Sequence, residues 1–145
     1  MQIEIKIDKD CKEPKLIIIT DEMTEELDAI VRKASSTGSK LITGFRDGNA
    51  KILEPSEIYR IYAESGRVIA ECEDGRYALR LRLYELEEML GKHFARISNS
   101  DIVNLKKVKE FNLSIVGTIC VKLSNGTVTY VSRRFVSKIK QILGI

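Results

Sequence analysis

Four small polar residues stand in a row at Ser98-Asn99-Ser100-Asp101. Phe94 and Ile97 lead into them with a strand-like apolar approach, and the chain returns to apolar residues at Ile102, Val103 and Leu105. Such a run cannot belong to a core, so it reads as an exposed loop held between buried strands. The Asn99 amide carries a donor and an acceptor side by side, the pattern that matches adenine N6 and N7. The same side chain can instead cap a turn locally, as asparagine often does. Farther on, Arg133-Arg134 follow an alternating segment that ends at Val131-Ser132, and they open the last helical stretch. Arginine reads guanine O6/N7 and pairs bidentately with phosphate. Cations are mildly unfavourable at a helix N-terminus, so two together suggest a role other than helix stability, against the alternative of two solvated arginines. Lys106, Lys107 and Lys109 can extend a phosphate-contacting surface or simply be solvated.

Other chemistry is poorly supported. There is one histidine, His93, and no tryptophan, and neither a G-x-x-x-x-G-K-[ST] nor a G-x-G-x-x-G phosphate loop occurs. Cys11, Cys72 and Cys120 are far apart and form no C-x-x-C pair, which reads as free thiols in a reducing compartment. Glu85, Glu87 and Glu88 read as the solvated face of a helix, and no residue cluster suggests a metal. The expectation is a protein without catalytic residues, cofactor, metal or small-molecule substrate. The start, MQIEIKIDKD, alternates apolar and charged residues and does not resemble a signal peptide, and no apolar run is long enough to span a membrane. Cytoplasm follows by elimination.

Charge is unevenly placed. Net charge is −2 over residues 1–42, −3 over 43–91 and +8 over 92–145, within a total of +3. A polyanion-facing C-terminal end fits that asymmetry.

The elements that must hold these residues follow from periodicity. Ile3, Ile5 and Ile7 alternate with Glu4 and Lys6 as in a half-buried strand, and Leu16 to Ile19 suggest a second strand. Asp21 can cap a helix whose apolar face is Met23, Leu27, Ile30, Val31 and Ala34, ending by Ser35-Ser36-Thr37-Gly38. That part therefore reads β-β-α, or an irregular segment and a helix. From Leu41 onward, strands and tight turns take over. Asp47-Gly48-Asn49, Ser65-Gly66, Asp74-Gly75 and Asn125-Gly126 mark hairpins. Leu83, Leu86 and Leu90 form a short amphipathic helix stopped by Gly91, and Phe135, Val136, Ile139, Ile142 and Leu143 form a C-terminal helix.

The site residues lie in longer matches. F-x-R-I-x-x-S-x-I-V-N runs from Phe94 to Asn104, L-x-N-G from Leu123 to Gly126, and V-S-R-R-F-V-x-x-I-K from Val131 to Lys140. Upstream stand I-Y-x-I at Ile58 to Ile61 and L-x-x-L-E-x-x-L at Leu83 to Leu90. In order and spacing these resemble the LytTR DNA-binding family over roughly residues 43–145. The resemblance implies a mainly β fold (α+β in all), an elongated stack of antiparallel sheets with a short helix and a C-terminal helix, here with a small N-terminal β/α extension at 1–42. It implies double-stranded DNA read in the major groove by loops, at sites that are typically direct repeats. Carried over, Asn99 with Ser98 and Ser100, Arg134 with Arg133, and Arg67 after Tyr62 supply the contacts, with Lys106 and Lys107 supplementing them. Gly66 stands where many members have a histidine or another polar residue, which leaves Arg67 to phosphate. Asn104 reads as structural. Residues 1–42 are too few for a receiver domain, so the chain resembles the stand-alone bacterial regulators, some of which work beside a small membrane protein. A homodimer on repeated half-sites is expected, with the acidic helix bearing Glu22, Glu25, Glu26 and Asp28 as the surface between copies or toward a partner. The alternative is a protein-interaction or anti-regulator module that keeps the fold without reading DNA. Single-stranded nucleic acid ranks below both, because nine aromatics mostly in strand positions leave few exposed stacking rings.

Overall fold

The computed structural model describes residues 1–35 and 41–145. It divides into two units, Met1–Lys40 and Leu41–Ile145. The change of pattern expected at Gly38–Leu41 lies, but for Leu41, outside the described residues.

In the first unit, α1 spans Glu25–Ser35. Asp21 is not its cap. Thr24 is, its hydroxyl oxygen accepting from the Leu27 N–H at 3.3 Å and its carbonyl from the Asp28 N–H at 2.9 Å. A threonine three residues before an apolar position satisfies the first-turn donors better than a residue farther upstream. The two strands expected at Ile3–Ile7 and Leu16–Ile19 do not form, and residues 1–24 contain no strand. Strands need ladder partners, and an isolated pair is marginal in water. Ile3, Ile5 and Ile7 remain 83, 82 and 89% exposed.

The second unit is mostly antiparallel sheet. A seven-stranded sheet has the order β2-β1-β5-β4-β3-β7-β6, from β1 Ile42–Arg46, β2 Asn49–Leu53, β3 Ile58–Glu64, β4 Arg67–Cys72, β5 Gly75–Leu79, β6 Phe94–Arg96 and β7 Asp101–Asn104. A three-stranded sheet has the order β10-β9-β8, from β8 Val108–Asn112, β9 Ile119–Leu123 and β10 Val128–Val131. Helix α2, Leu83–Leu90, precedes β6, and α3, Arg133–Leu143, ends the unit. Gly91 and Gly144 close these helices at φ 75° and 74°.

The turns obey local chemistry. Asp47-Gly48 and Ser65-Gly66 both have positive φ at each central residue, which matches the twist of the strands they join. At the β4–β5 hairpin the bridging residues are Glu73-Asp74 instead of Asp74-Gly75, since Cys72 pairs with Gly75.

Two cores lie on the two faces of the larger sheet. Ile61, Ala70, Leu79 and Ile102 pack with Leu83, Leu86 and Leu90 of α2. Ala95, Ile97 and Val103 pack with Ile119, Val121, Leu123, Val131 and Ile139, so the smaller sheet and α3 cover the other side. Adjacent residues Ile102 and Val103 thus serve different cores, as the two-residue period of a strand requires. Ile142, expected on the apolar face of α3, is 46% exposed. No helix among the described residues is long and apolar enough to cross a membrane.

Candidate nucleic-acid interface

The run 98–100 is a bend between β6 and β7, with Ser98 half-buried and Asn99 and Ser100 exposed. Its base is closed by the Ile97 N–H donating to the Asp101 carbonyl at 3.0 Å. The Ser100 N–H donates to the Ser98 hydroxyl oxygen at 3.2 Å, and its carbonyl accepts from Ala63 N–H of β3 at 2.8 Å. Asn99 is therefore presented by the loop and is not consumed in capping it.

Arg96 organises the loop. Its Nε donates to the Ser98 carbonyl at 2.7 Å and its Nη2 to the Asn99 carbonyl at 2.6 Å, while Nη1 meets Glu87 Oε2 of α2 at 3.1 Å. The guanidinium fork suits this arrangement, because its donors are fixed in one plane and match two convergent carbonyls and a carboxylate together. Glu87, read from sequence as a solvated acid, anchors this clamp and also lies 3.8 Å from Lys138 Nζ of α3. Sequence reasoning missed the role of Arg96. The available signal was an arginine in the F-x-R-I run, pressed between Ala95 and Ile97, both buried.

The start of α3 is joined to the same loop. The Ser132 N–H donates to the Ile97 carbonyl at 2.9 Å. Arg133 and Arg134 follow in the first turn, both exposed. Arg134 Nη1 lies 3.4 Å from Asn99 Oδ1, and its guanidinium carbon is 5.7 Å from the centre of the Phe135 ring. An amide and a guanidinium from two elements thus stand side by side on an exposed edge.

Asp101, at the end of the loop, is tied into a polar network. Its Oδ2 accepts from the Thr129 hydroxyl at 2.8 Å and lies 3.7 Å from Arg60 Nη1. Arg60 also meets Glu71 at 3.6 Å. Glu71, 8% exposed, accepts from the Asn125 amide at 3.0 Å and the Thr127 hydroxyl at 2.9 Å. The β9–β10 hairpin is thereby fastened to β3, β4 and β7, with charges compensated as buried charges must be.

The other residues singled out from the sequence stand apart. Arg67 is exposed at the β3–β4 turn and lines an open hollow of about 440 Å³ with Arg46, Arg76, Tyr62, Tyr77 and Phe45. Lys106 and Lys107 occupy the opposite end of β7 from the loop, about 13 Å away by strand rise. Lys106 is exposed, whereas Lys107 Nζ is 3.4 Å from Glu73 and 5.0 Å from the centre of the Tyr59 ring. Asn104 is buried, donates to the Ile58 carbonyl at 2.8 Å and accepts from the Lys106 N–H at 3.0 Å, so it holds the chain as it leaves β7. Burial pushes the Cys72 thiol up to about 11, which keeps it neutral in its core.

Comparison with known proteins adds to this geometry. A model of the LytTr DNA-binding domain matches residues 48–144. Relatives in Staphylococcus aureus strains MRSA252 and NCTC 8325 / PS 47, described as HTH-type transcriptional regulators, are 31% and 30% identical over 146 residues. Those alignments cover all of this chain and 99% of each relative. A solved LytTr DNA-binding domain from Bacillus cereus superposes with a TM-score of 0.70 at 23% identity, covering 73% of this chain and 99% of that one.

Proposed function

The chain belongs to the LytTR DNA-binding family, and on that footing we propose that it is a cytoplasmic transcription regulator that recognises a specific duplex sequence through the major groove. The observation that carries this reading is the pairing of Asn99 with Arg134 at 3.4 Å on an exposed edge. Their donors and acceptor are of the types that distinguish adenine and guanine in the major groove. Arg133 and Arg67 contact phosphate, and Ser98 and Ser100 supplement the loop's contacts. Lys106 lies too far along β7 for the same base pairs and reaches flanking backbone at most. Lys107 is held by Glu73 and contributes little. Two copies occupy repeated half-sites, about one helical turn apart, and a membrane protein is the partner that the family resemblance suggests.

The relatives' names speak of a helix-turn-helix, two helices joined by a short turn. Here α2 lies between β5 and β6, and α3 follows β10 directly. The reading by loop and helix start rests on that arrangement.

Selection from a pool of random duplexes, sequenced at two salt concentrations, tests the proposal. A spaced repeat should be enriched. Arg134→Ala and Asn99→Ala should each cost about 1–3 kcal/mol and relax preference at one base pair. Retention without sequence preference would overturn it.

A further inference from the structure

Among the described residues of the first unit, the N-terminal segment carries apolar side chains that its own unit leaves exposed. Met1, Ile3, Ile5 and Ile7 are each more than 80% exposed, and Leu16, Ile17 and Ile19 are 64, 68 and 95% exposed. Among the described residues, the backbone groups of 1–7 make no hydrogen bond to another segment. The isoleucines alternate with Gln2, Glu4, Lys6 and Asp8. That is the pattern of a strand with one apolar and one charged face, without the neighbour a strand needs.

The charges on the polar face identify the neighbour. If two copies of this segment pair antiparallel about Ile5, Glu4 of each stands opposite Lys6 of the other, and Ile3 stands opposite Ile7. All six isoleucines then share one face, and two Glu–Lys pairs share the other. Neighbouring registers do not do this. Centring on Lys6 sets Glu4 against Asp8, centring on Glu4 sets it against itself, and centring on Ile7 sets Ile5 against Lys9. A parallel, in-register pair stacks Glu4 on Glu4 and Lys6 on Lys6. Opposite charges directly across a strand pair stabilise it and like charges destabilise it, so the sequence is self-complementary in one register. A lipid surface is disfavoured as the cover, because residues 1–24 carry four lysines against six carboxylates and anionic bilayers attract basic segments.

We propose that residues 2–8 form a two-fold symmetric, antiparallel strand pair with a second copy of this chain, centred on Ile5, with Leu16, Ile17 and Ile19 supplying apolar cover for the isoleucine face. This deepens one part of the reading above, the pair of copies, and holds whichever bases are recognised. Because it is tested without DNA, its failure and the failure of base recognition are distinguishable.

Sedimentation equilibrium of the full chain should show a dimer. Glu4→Lys replaces both Glu–Lys pairs by like charges facing each other across the strands, and should weaken self-association roughly tenfold. The double change Glu4→Lys with Lys6→Glu should restore it. In a Cys11→Ser background, Ile5→Cys should form a disulfide between copies under mild oxidation, since directly opposed residues stand about 4.5–5.5 Å apart. Glu4→Cys should not, because its two copies are offset by two positions, about 8 Å. A monomer at all concentrations would overturn the proposal, whether or not the protein then sediments with anionic vesicles. So would a dimer indifferent to Glu4→Lys, or one that bridges equally at both positions.

Discussion

A guanidinium that grips two adjacent carbonyls does what no single side chain in the loop can do for itself. Arg96 stands 2.7 and 2.6 Å from the Ser98 and Asn99 carbonyls, so on the proposed reading it fixes the loop's main chain and lowers the ordering entropy that binding costs. Arg96→Ala should therefore weaken specific DNA binding about as much as losing a base contact, 1–3 kcal/mol, although Arg96 is itself only 16% exposed. Arg96→Lys should restore little of it, since a point-like ammonium cannot match both carbonyls. Binding assays beside a far-ultraviolet spectrum check this, the spectrum showing that the sheets persist. At this scale the sequence was informative about side chains that must be exposed. The polar run between apolar residues marks a loop at 98–100 whatever the fold, although Asp101, read with it, opens β7 with its side chain only 13% exposed; the paired arginines at 133–134 stand out by conflict with the helix N-terminus they occupy. Residues that act through others were hidden. Arg96, Glu87 and Glu71 carry charges that could equally have been solvated, and only the fold shows that Arg96 turns onto the next loop while Glu87 and Glu71 meet partners from distant segments.

Strands β1 and β5 approach unusually closely at one glycine. A Cβ on Gly44 would lie 2.7 Å from the Tyr77 Cβ and 2.9 Å from Leu53 Cδ1. Neither neighbour has room to yield, as Tyr77 and Leu53 are 4% and 2% exposed. Gly44→Ala should destabilise the second unit by about 1–3 kcal/mol, the usual cost of overpacking. At about 4–8 °C per kcal/mol for a unit of this size, calorimetry would register it as a clear fall in Tm, and an unchanged Tm would show that the two strands can separate at that point. The elements themselves were well marked by period and turn chemistry. Asp47-Gly48 and Ser65-Gly66 supply the positive φ that their hairpins need, and Leu83, Leu86 and Leu90 supply a helical stripe ended by Gly91. The expected strand at Ile3–Ile7 failed for a reason that period alone cannot reveal, because alternation says which face wants burial and not whether the same chain provides the cover. The swap of Asp21 for Thr24 as helix cap is a matter of one turn, which weak capping signals do not resolve.

Across the whole molecule, the +8 balance of residues 92–145 overstates the free positive charge. Arg96 and Lys138 face Glu87, and Lys107 faces Glu73. The remaining cations are divided between the loop edge, where Arg133 and Arg134 stand, and surfaces elsewhere on the unit. Affinity for DNA should fall with salt at a log-log slope of about −0.9 per phosphate neutralised. Arg67→Ala should reduce that slope by about one such contact and weaken all sequences alike, whereas Lys107→Ala should leave it unchanged. Titrations across a salt series separate these outcomes, and an equal effect of the two substitutions would contradict the assignment of Lys107 to Glu73. The clamp on the 98–100 loop has a longer reach than stability. Arg96 holds Ser98 and Asn99 by main-chain oxygens alone, which every amino acid possesses. On the proposed reading, shape and spelling separate at position 99: a lineage can change that letter, and so drift to new target sites, while keeping the main-chain grip.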